Sequence, residues 1–278
     1  MPKLLSLCTG YGGLDLAIDS VLSDVELVAM SEFDPKVALV AEQRFSGVTN
    51  YGDLTRIDWR YLEHVDILTA GYPCQPFSLA GKRQGANDDR HIWPYIAEGI
   101  RTLQPGLVVL ENVSGHRSSG FGTVLGDLAA AGYDACWASV RASDVGAPHR
   151  RERVFIVATS PDSYRQRWAG RSEHNAQASQ EDFAAHRDVS FQRWGTYIPA
   201  IQRWERVVGR AVPPALTPTG AHNPVLVEWM MGLPAGWVTD VLKPNGKPLG
   251  KTDQLHILGN GVVPQQAAHA LRLLLNLD

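Results

Sequence analysis

Apolar and polar positions along the first 160 residues predict short strands separated by helices. Five apolar segments have the length of buried strands: KLLSL (3–7), VELVAM (25–30), VDILTA (65–70), GLVVLEN (106–112) and RVFIVAT (153–159). Helical spacing follows the first two of them, in LDLAIDSVL (14–22) and PKVALVAEQRF (35–45), with Pro35 in the first turn, where proline is tolerated. Strands joined by helices of this length form mostly parallel sheets with both faces covered. The pattern therefore predicts an α/β fold.

The pattern changes at about residue 161. The stretch 164–188 is polar without a clear period, and the stretch 194–220 mixes Trp, Tyr and Arg before a proline-rich linker. The last segment, 258–278, ends in an amphipathic helical pattern. These changes predict a main domain at 1–160 that is completed by 252–278, and a small second domain at 161–251.

Composition narrows the class of protein only slightly. The chain has 278 residues, of which 44% are hydrophobic and 20% charged, as in ordinary globular proteins. It contains no apolar run of about 18 residues and no pattern of a secretory signal, so we expect a cytoplasmic protein without a membrane span. The net charge of −3 does not indicate nucleic-acid binding, but basic residues cluster locally, at Lys82, Arg83 and Arg90 and again at 149–153.

The cysteines argue against a disulfide framework and against a cysteine zinc site. Cys8, Cys74 and Cys136 are far apart and form no C-x-x-C pair. No metal site is therefore expected, and at least one thiol is available as a nucleophile. For Cys8 and Cys136 we favour a structural role, because the sequence suggests no acid or base partner for either.

Polar and glycine residues follow the predicted strands at their carboxyl ends. The turn Gly10-Tyr11-Gly12-Gly13 follows the first strand, Glu32 closes the second, and Asp53 comes after the second helix. A carboxylate about twenty residues after such a turn is suited to binding both hydroxyls of a ribose. The G-x-G-G spacing disfavours a dinucleotide pyrophosphate, so we expect a different nucleoside-containing cofactor.

The segment 71–78 (GYPCQPFS) places Cys74 just after a strand, in a loop with two prolines. Glu111-Asn112-Val113 ends the next long strand, so that Glu111 could lie beside the thiol. A thiolate and a carboxylic acid in one cleft are the pair needed to add to C6 of a pyrimidine while N3 is protonated.

The chain resembles the DNA cytosine-5 methyltransferase family along nearly its whole length, with the motifs in family order. The matching segments are the glycine turn 10–13, Glu32, Gly52-Asp53-Leu54, Pro73-Cys74-Gln75, Glu111-Asn112-Val113, Arg151-Glu152-Arg153, the segment 228–237 (EWMMGLPAGW) and Gly259-Asn260-Gly261-Val262. Any one of these strings could occur by chance, but the ordered set could not.

The resemblance implies a Rossmann-like S-adenosylmethionine-dependent methyltransferase sheet with a small target-recognition domain at 161–251. It implies contacts with S-adenosylmethionine at Cys8, Thr9, Gly10, Tyr11, Gly12, Gly13, Leu14, Glu32, Phe33, Asp53, Leu54, Gly71, Pro73, Asn260 and Val262. The expected DNA contacts are Gln75, Ser78, Lys82 and Arg83. The expected partners are double-stranded DNA and a cognate restriction endonuclease, and the chain is expected to be a monomer.

The implied reaction begins with a cytosine flipped out of the duplex, since C6 is inaccessible in a stacked helix. Cys74 attacks C6, Glu111 holds a proton on N3, and Arg151 and Arg153 bind the O2 edge. The base that removes the C5 proton is not assigned; a water near Asn112 is one candidate.

Three departures from the family pattern stand out. Cys8 occupies a position where the family usually has an aromatic residue, His149 replaces a common glutamine, and the region between Arg153 and Glu228 is short for target recognition. His149 could contact a phosphate or make a structural hydrogen bond.

The tryptophans at 168, 194 and 204 could stack on bases but fit a domain core better, and Trp229 and Trp237 are expected to pack. Two alternative functions remain open: an RNA methyltransferase of the same fold and a silent DNA-binding relative. A Cys-Phe-Thr string typical of the RNA branch is absent from the sequence, and the intact Cys74, Glu111 and Arg153 argue against a silent copy.

Overall fold

The computed structural model describes residues 1–73, 92–118, 120–160 and 194–277. Within these ranges one seven-stranded sheet forms the centre of the fold. Its strands are β1 (Lys3–Leu7), β2 (Glu26–Ser31), β3 (Thr49–Asn50), β4 (Ile67–Gly71), β5 (Leu107–Val113), β6 (Asp134–Arg141) and β7 (Glu152–Thr159). The five predicted apolar segments are all strands, and the predicted α/β class is confirmed.

The strand order is β3-β2-β1-β4-β5-β7-β6, so the sheet is built outward in both directions from β1 and β4. Strands β1 to β5 pair in parallel, whereas β7 pairs antiparallel with both β5 and β6. Ligands of open α/β sheets bind where the strand order reverses, at the carboxyl ends of the strands. In this sheet that position is the crevice between β1 and β4.

Helices connect these strands and complete the chain. They are α1 (Gly13–Val21), α2 (Pro35–Arg44), α3 (Trp93–Leu103), α4 (Phe121–Ala130), α5 (Ile198–Val208), α6 (Pro224–Met230), α7 (Lys251–Asn260) and α8 (Pro264–Leu275). The start of α2 follows from local chemistry, because the Asp34 side chain accepts hydrogen bonds from Lys36 N and Val37 N and proline occupies the first turn. The predicted carboxyl-terminal helix is α8.

Strand β6 was not predicted from the sequence. Its residues DACWASVR lie at the edge of the sheet, where all but Val140 are partly or fully exposed. An edge strand whose residues are mostly exposed lacks the continuous apolar signal of a buried strand. The short β3 was also missed, because two residues are too few for a periodic pattern.

Apolar side chains form clusters on both faces of the sheet. One contains Leu68, Ile96 and Val108 with α3 and α4. The other contains Ile18, Ile67 and Leu271 with α1 and α8. Helix α8 therefore packs against the sheet beside α1, and the completion of the main domain by 252–278 stays a prediction.

A third cluster joins the carboxyl-terminal half to the glycine turn. Trp204, Trp229 and Val263 pack there with Tyr11 and Val40 from the first part of the chain. The described part of the predicted small domain thus shares a core with the main domain, while its boundaries at 161 and 251 stay a prediction. None of the helices in the described ranges is long and apolar enough to span a membrane.

Candidate active site

The glycine turn lies between the end of β1 and the start of α1, at the crevice between β1 and β4. Gly12 N donates to Thr9 O at 2.9 Å, which closes the turn. Gly10 has a φ of +60°, and a Cβ placed there would have no atom nearer than Cys8 O at 4.0 Å. The backbone of Gly10 is therefore open on the side where a side chain would stand, and a ligand can approach it closely.

Glu32, at the end of β2, lies against this turn. Its Oε2 accepts a hydrogen bond from Gly10 N at 2.9 Å, and its Oε1 accepts one from Asp34 N at 3.0 Å. Burial raises the pKa of Glu32 above its usual range. Each carboxylate oxygen has more than one lone pair, so both can still accept hydrogen bonds from a ligand's hydroxyls.

Two further predicted cofactor residues lie on the same side of the crevice. Phe33 is 75% exposed, although it lines the cleft. Asp53 accepts hydrogen bonds from Thr55 Oγ1 at 2.7 Å and Thr55 N at 3.0 Å, which lower its pKa. An open aromatic ring beside an ionised carboxylate provides a stacking surface and an acceptor for a purine base.

Glu111 lies two residues before the end of β5 and is 7% exposed. The antiparallel pairing of β5 and β7 brings Arg153 beside it, with Arg153 Nε 2.9 Å from Glu111 Oε1. Burial raises the pKa of Glu111 to about 7, although the two nearby guanidinium groups, Arg153 and Arg151, lower it. This carboxyl group can therefore hold or release a proton near neutral pH.

The segment that leads to Cys74 starts beside this acid. Gly71 pairs with Glu111 in the sheet, and a Cβ on Gly71 would lie 3.6 Å from Glu111 Oε2. Gly71 and Pro73 both line the cleft. Cys74 itself lies outside the described residues, as do the expected DNA contacts Gln75, Ser78, Lys82 and Arg83.

One cleft of about 1250 Å³ is bordered by Gly10, Glu32, Asp53, Glu111 and Arg153. The predicted cofactor residues that line it are Cys8, Thr9, Gly10, Tyr11, Gly13, Leu14, Glu32, Phe33, Asp53, Leu54, Gly71, Pro73, Asn260 and Val262. Glu111 and Arg153 line it too, whereas Gly12 and Arg151 do not. Small-molecule pockets typically measure about 300–1,000 Å³, so this cleft has room for a nucleoside ligand and a second group beside it.

The comparisons with known proteins agree with this geometry. Residues 2–213 match the model of the C-5 cytosine-specific DNA methylase family. The chain belongs to this family. The resemblance inferred from the motifs is thereby confirmed.

Curated relatives include the type II methyltransferase M.NlaX of Neisseria lactamica, 35% identical over 162 residues, which are 56% of this chain and 52% of the relative. M.NgoBI of Neisseria gonorrhoeae is 38% identical over 165 residues, 58% of this chain and 51% of the relative. The orphan methyltransferase M.SPRI of Bacillus phage SPR is 32% identical over 168 residues, which are 58% of this chain and 38% of the relative. The chain thus spans about half the length of the curated relatives it matches.

Among solved structures, a mutant DNMT2 of Spodoptera frugiperda is similar with a TM-score of 0.68 at 17% identity, over 99% of both chains. A putative DNA modification methyltransferase of an Escherichia coli prophage has a TM-score of 0.62 at 17% identity, over 99% of this chain and 100% of the other. Identities this low establish the fold alone, which is the predicted Rossmann-like methyltransferase sheet.

Arg151, which was expected to bind the O2 edge of the target cytosine, contacts the protein backbone in this structure. Its Nη1 donates to Gly259 O at 2.7 Å and its Nη2 to Gly261 O at 2.6 Å. Both terminal nitrogens are engaged by backbone carbonyls, so the arrangement gives no support to the prediction that Arg151 contacts the target base. Arg153, by contrast, faces Glu111 in the cleft.

His149 and the tryptophans have structural contacts in the described residues. His149 Nε2 lies 3.0 Å from Met230 O, which is the structural alternative left open by the sequence. Trp204 is fully buried and donates from Nε1 to Trp229 O at 2.8 Å, as expected for a core residue. Trp237 packs and also donates from Nε1 to Tyr11 O at 2.8 Å. Trp168 lies outside the described residues.

Cys8 and Cys136 are free thiols. Cys8 lines the cleft with a φ of +50°, and its burial raises the pKa of the thiol well above the usual range. A thiol of this kind is a weak nucleophile, and the structural role of Cys8 stays a prediction. Cys136 is on the exposed edge strand, and partial burial raises its pKa as well.

Two polar groups near the cleft, Asp15 and the Tyr72–His116 pair, were not predicted from the sequence. Asp15, in the first turn of α1, is buried and accepts from Ser6 Oγ at 2.9 Å and Thr69 Oγ1 at 3.0 Å. Burial raises the pKa of Asp15 to about 6. The sequence pattern that could have indicated this buried acid is the position of Asp15 on the apolar face of a short helix. Tyr72 Oη, one residue before Pro73, lies 3.0 Å from His116 Nε2, and no sequence pattern connects these two positions.

Proposed function

We propose that the chain is a DNA cytosine-5 methyltransferase that transfers a methyl group from S-adenosylmethionine to C5 of a flipped-out cytosine in a short duplex sequence. The observation that carries the proposal is the position of Glu111. This buried acid has a pKa of about 7, lies beside Arg153, and borders the same cleft as the glycine turn and Glu32. An acid that holds a proton near neutral pH is what protonation of cytosine N3 requires.

The residues around the crevice between β1 and β4 fit S-adenosylmethionine. The open backbone at Gly10 allows close approach of the amino-acid portion, and Glu32 has lone pairs for the ribose hydroxyls. Phe33 offers an exposed ring and Asp53 an acceptor for the adenine. When bound, S-adenosylmethionine supplies an electrophilic methyl group on a sulfonium ion.

The proposed reaction uses the cleft as follows. The Cys74 thiolate adds to C6 of the cytosine while Glu111 gives its proton to N3, so the electron pair of the C5–C6 bond becomes available at C5. Arg153 binds the O2 edge, where negative charge gathers. Glu32 and the open backbone at Gly10 would hold S-adenosylmethionine, which would supply the methyl group to C5 and would leave as S-adenosylhomocysteine, so this step would depend on how the two groups are positioned. Loss of the C5 proton to a base and elimination of the Cys74 thiolate restore the aromatic ring and return the proton from N3 to Glu111.

The role of Cys74 rests on its place in the Pro73-Cys74-Gln75 motif and on the short path from Gly71, which pairs with Glu111. The DNA contacts proposed at Gln75, Ser78, Lys82 and Arg83 rest on the same motif and on local positive charge. We propose that residues 161–251 recognise the target sequence.

The proposed partner is double-stranded DNA, bound by a monomer. Relatives include proteins named type II methyltransferases and one named an orphan methyltransferase. We therefore propose a cognate restriction endonuclease, encoded beside this chain, as a partner. The alternative is a solitary methyltransferase without such a partner.

The test is to express the chain in a host that lacks cytosine methylation and to map 5-methylcytosine in its DNA at single-base resolution. Methylation at one short motif, absent with Cys74→Ser, would support both the activity and the nucleophile. Methylation by the Cys74→Ser variant at more than a small fraction of the wild-type level would remove the nucleophile assignment. An unmethylated genome, from protein that binds S-adenosylmethionine, would refute the DNA substrate and direct the same assay to tRNA.

A further inference from the structure

Arg151 connects the segment after β6 to the carboxyl-terminal part of the chain. Its guanidinium is half-buried and donates to two backbone carbonyls that are two residues apart, Gly259 O at 2.7 Å and Gly261 O at 2.6 Å. A forked guanidinium can hold both carbonyls at once, which a single ammonium group cannot do with the same geometry. The contact joins residues more than a hundred positions apart in the sequence.

The same segment is held from its other side by the glycine turn. Tyr11 Oη donates to Val262 O at 2.7 Å, and Tyr11 is buried. A Cβ on Gly13 would lie 2.2 Å from Val262 O, and a Cβ on Gly261 would lie 1.9 Å from the Tyr11 ring. The glycine turn and the segment 259–262 therefore interlock without room for a side chain at either glycine.

The segment 259–262 is also part of the cleft wall. Asn260, Gly261 and Val262 line the cleft beside the glycine turn. Arg151 does not line the cleft, so its guanidinium contacts this wall from the side that faces away from the cleft. Its neighbour Arg153 lines the cleft and pairs with Glu111.

We propose that Arg151 is a positioning residue that fixes the segment 259–262 as a wall of the cofactor site, while Arg153 alone of the two acts at the target base. The proposal assigns different roles to the two arginines of one R-x-R element. The identity of the cofactor rests on the proposed function. The two hydrogen bonds from Arg151 to the segment 259–262, which we call the clamp, do not depend on it.

The proposal is tested with Arg151→Lys, Arg151→Met, Arg153→Lys and Tyr11→Phe, with Arg150→Lys as the matched control from the same loop, where Arg150 is exposed. Two measurements are made without DNA: the affinity for S-adenosylmethionine by calorimetry, and amide hydrogen exchange of a peptide spanning 257–263 in the ligand-free protein. The KM for S-adenosylmethionine and kcat are then measured for the variants that fold.

Arg151→Lys should weaken S-adenosylmethionine binding about tenfold and raise its KM in proportion, with a smaller change in kcat. Amide exchange at 257–263 should become faster, and Arg151→Met should exceed Arg151→Lys in both effects. Tyr11→Phe, which removes the hydroxyl that holds Val262 O from the other side, should act in the same direction. Arg153→Lys should mainly lower kcat, and Arg150→Lys should leave affinity and exchange unchanged.

Unchanged affinity and exchange in Arg151→Lys, together with a fall in kcat like that of Arg153→Lys, would overturn the proposal and return Arg151 to the target base. If Arg151→Met does not fold, Arg151→Lys and Tyr11→Phe still decide the point. If the wild-type chain binds no S-adenosylmethionine, the proposed function fails, while the exchange data decide the clamp on their own. Unchanged exchange in both Arg151→Lys and Tyr11→Phe would refute the clamp in that case as well.

Discussion

Replacement of Glu111 by glutamine should stabilise the fold progressively as pH rises. Burial raises the pKa of Glu111 from its ordinary 4.5 to about 7, so the folded state binds this proton more tightly than the unfolded state does. The stability contributed by the protonated carboxyl group is fully present below pH 4.5 and is lost as pH rises through about 7. Glutamine resembles the protonated acid in shape and stays neutral at every pH.

The size of the effect follows from the two pKa values. Each pH unit between 4.5 and about 7 corresponds to about 1.4 kcal/mol, which gives about 3 kcal/mol in total. Of this, about 2.5 kcal/mol falls between pH 5 and pH 8. The free energy of unfolding of Glu111→Gln, relative to wild type, should therefore increase by about 2.5 kcal/mol over this range. Asp15, whose pKa is also raised, is present in both proteins and cancels in the difference.

The assay is urea denaturation of both proteins at pH 5, 6, 7 and 8, followed by far-UV circular dichroism. Glu98→Gln, an exposed site on α3, is the control for the same chemical change outside the cleft. Stability curves of Glu111→Gln and wild type that stay parallel from pH 5 to pH 8 would refute the argument that Glu111 is buried with a raised pKa. Glu111→Gln should also lose methyl transfer, because the glutamine amide is too weak an acid to transfer a proton to N3.

Three further changes test other parts of the site. Glu32→Ala should weaken S-adenosylmethionine binding by about tenfold or more, because the carboxylate is removed from beside Gly10 N; calorimetry that finds an unchanged affinity would exclude a ribose contact. Gly13→Ala should lower stability and cofactor affinity together, since its Cβ would lie 2.2 Å from Val262 O; a melting temperature equal to wild type would contradict the interlock. Trp204→Phe should cost about 1–3 kcal/mol by urea denaturation, through a lost hydrogen bond and lost volume in a fully buried position; no measurable loss would argue against a core role.

The convergence of the motifs was predictable from local patterns. The glycine turn, Glu32, Gly71 and Glu111 each follow an apolar segment. Carboxyl ends of parallel strands meet at one edge of a sheet, so identifying the strands was enough to expect one cleft. The structure brings all four to that edge.

Contacts between distant segments were not predictable in this way. The R-x-R motif suggested one shared role for Arg151 and Arg153, yet the two side chains have different partners. They diverge because Arg153 lies within β7, next to Glu111, whereas Arg151 precedes that strand and reaches the end of α7. A difference of this kind depends on the path of a segment more than a hundred residues away in the sequence.

The sequence by itself determined the family, the α/β class and the edge of the sheet at which the site is built, because these depend on strand periodicity and on short strings of residues that stay together in the chain. Only the tertiary structure decided the edge strand β6, the buried position of Asp15 and the raised pKa of Glu111. Exposure, desolvation and hydrogen-bond partners depend on which segments pack together in space, and no local pattern contains that information.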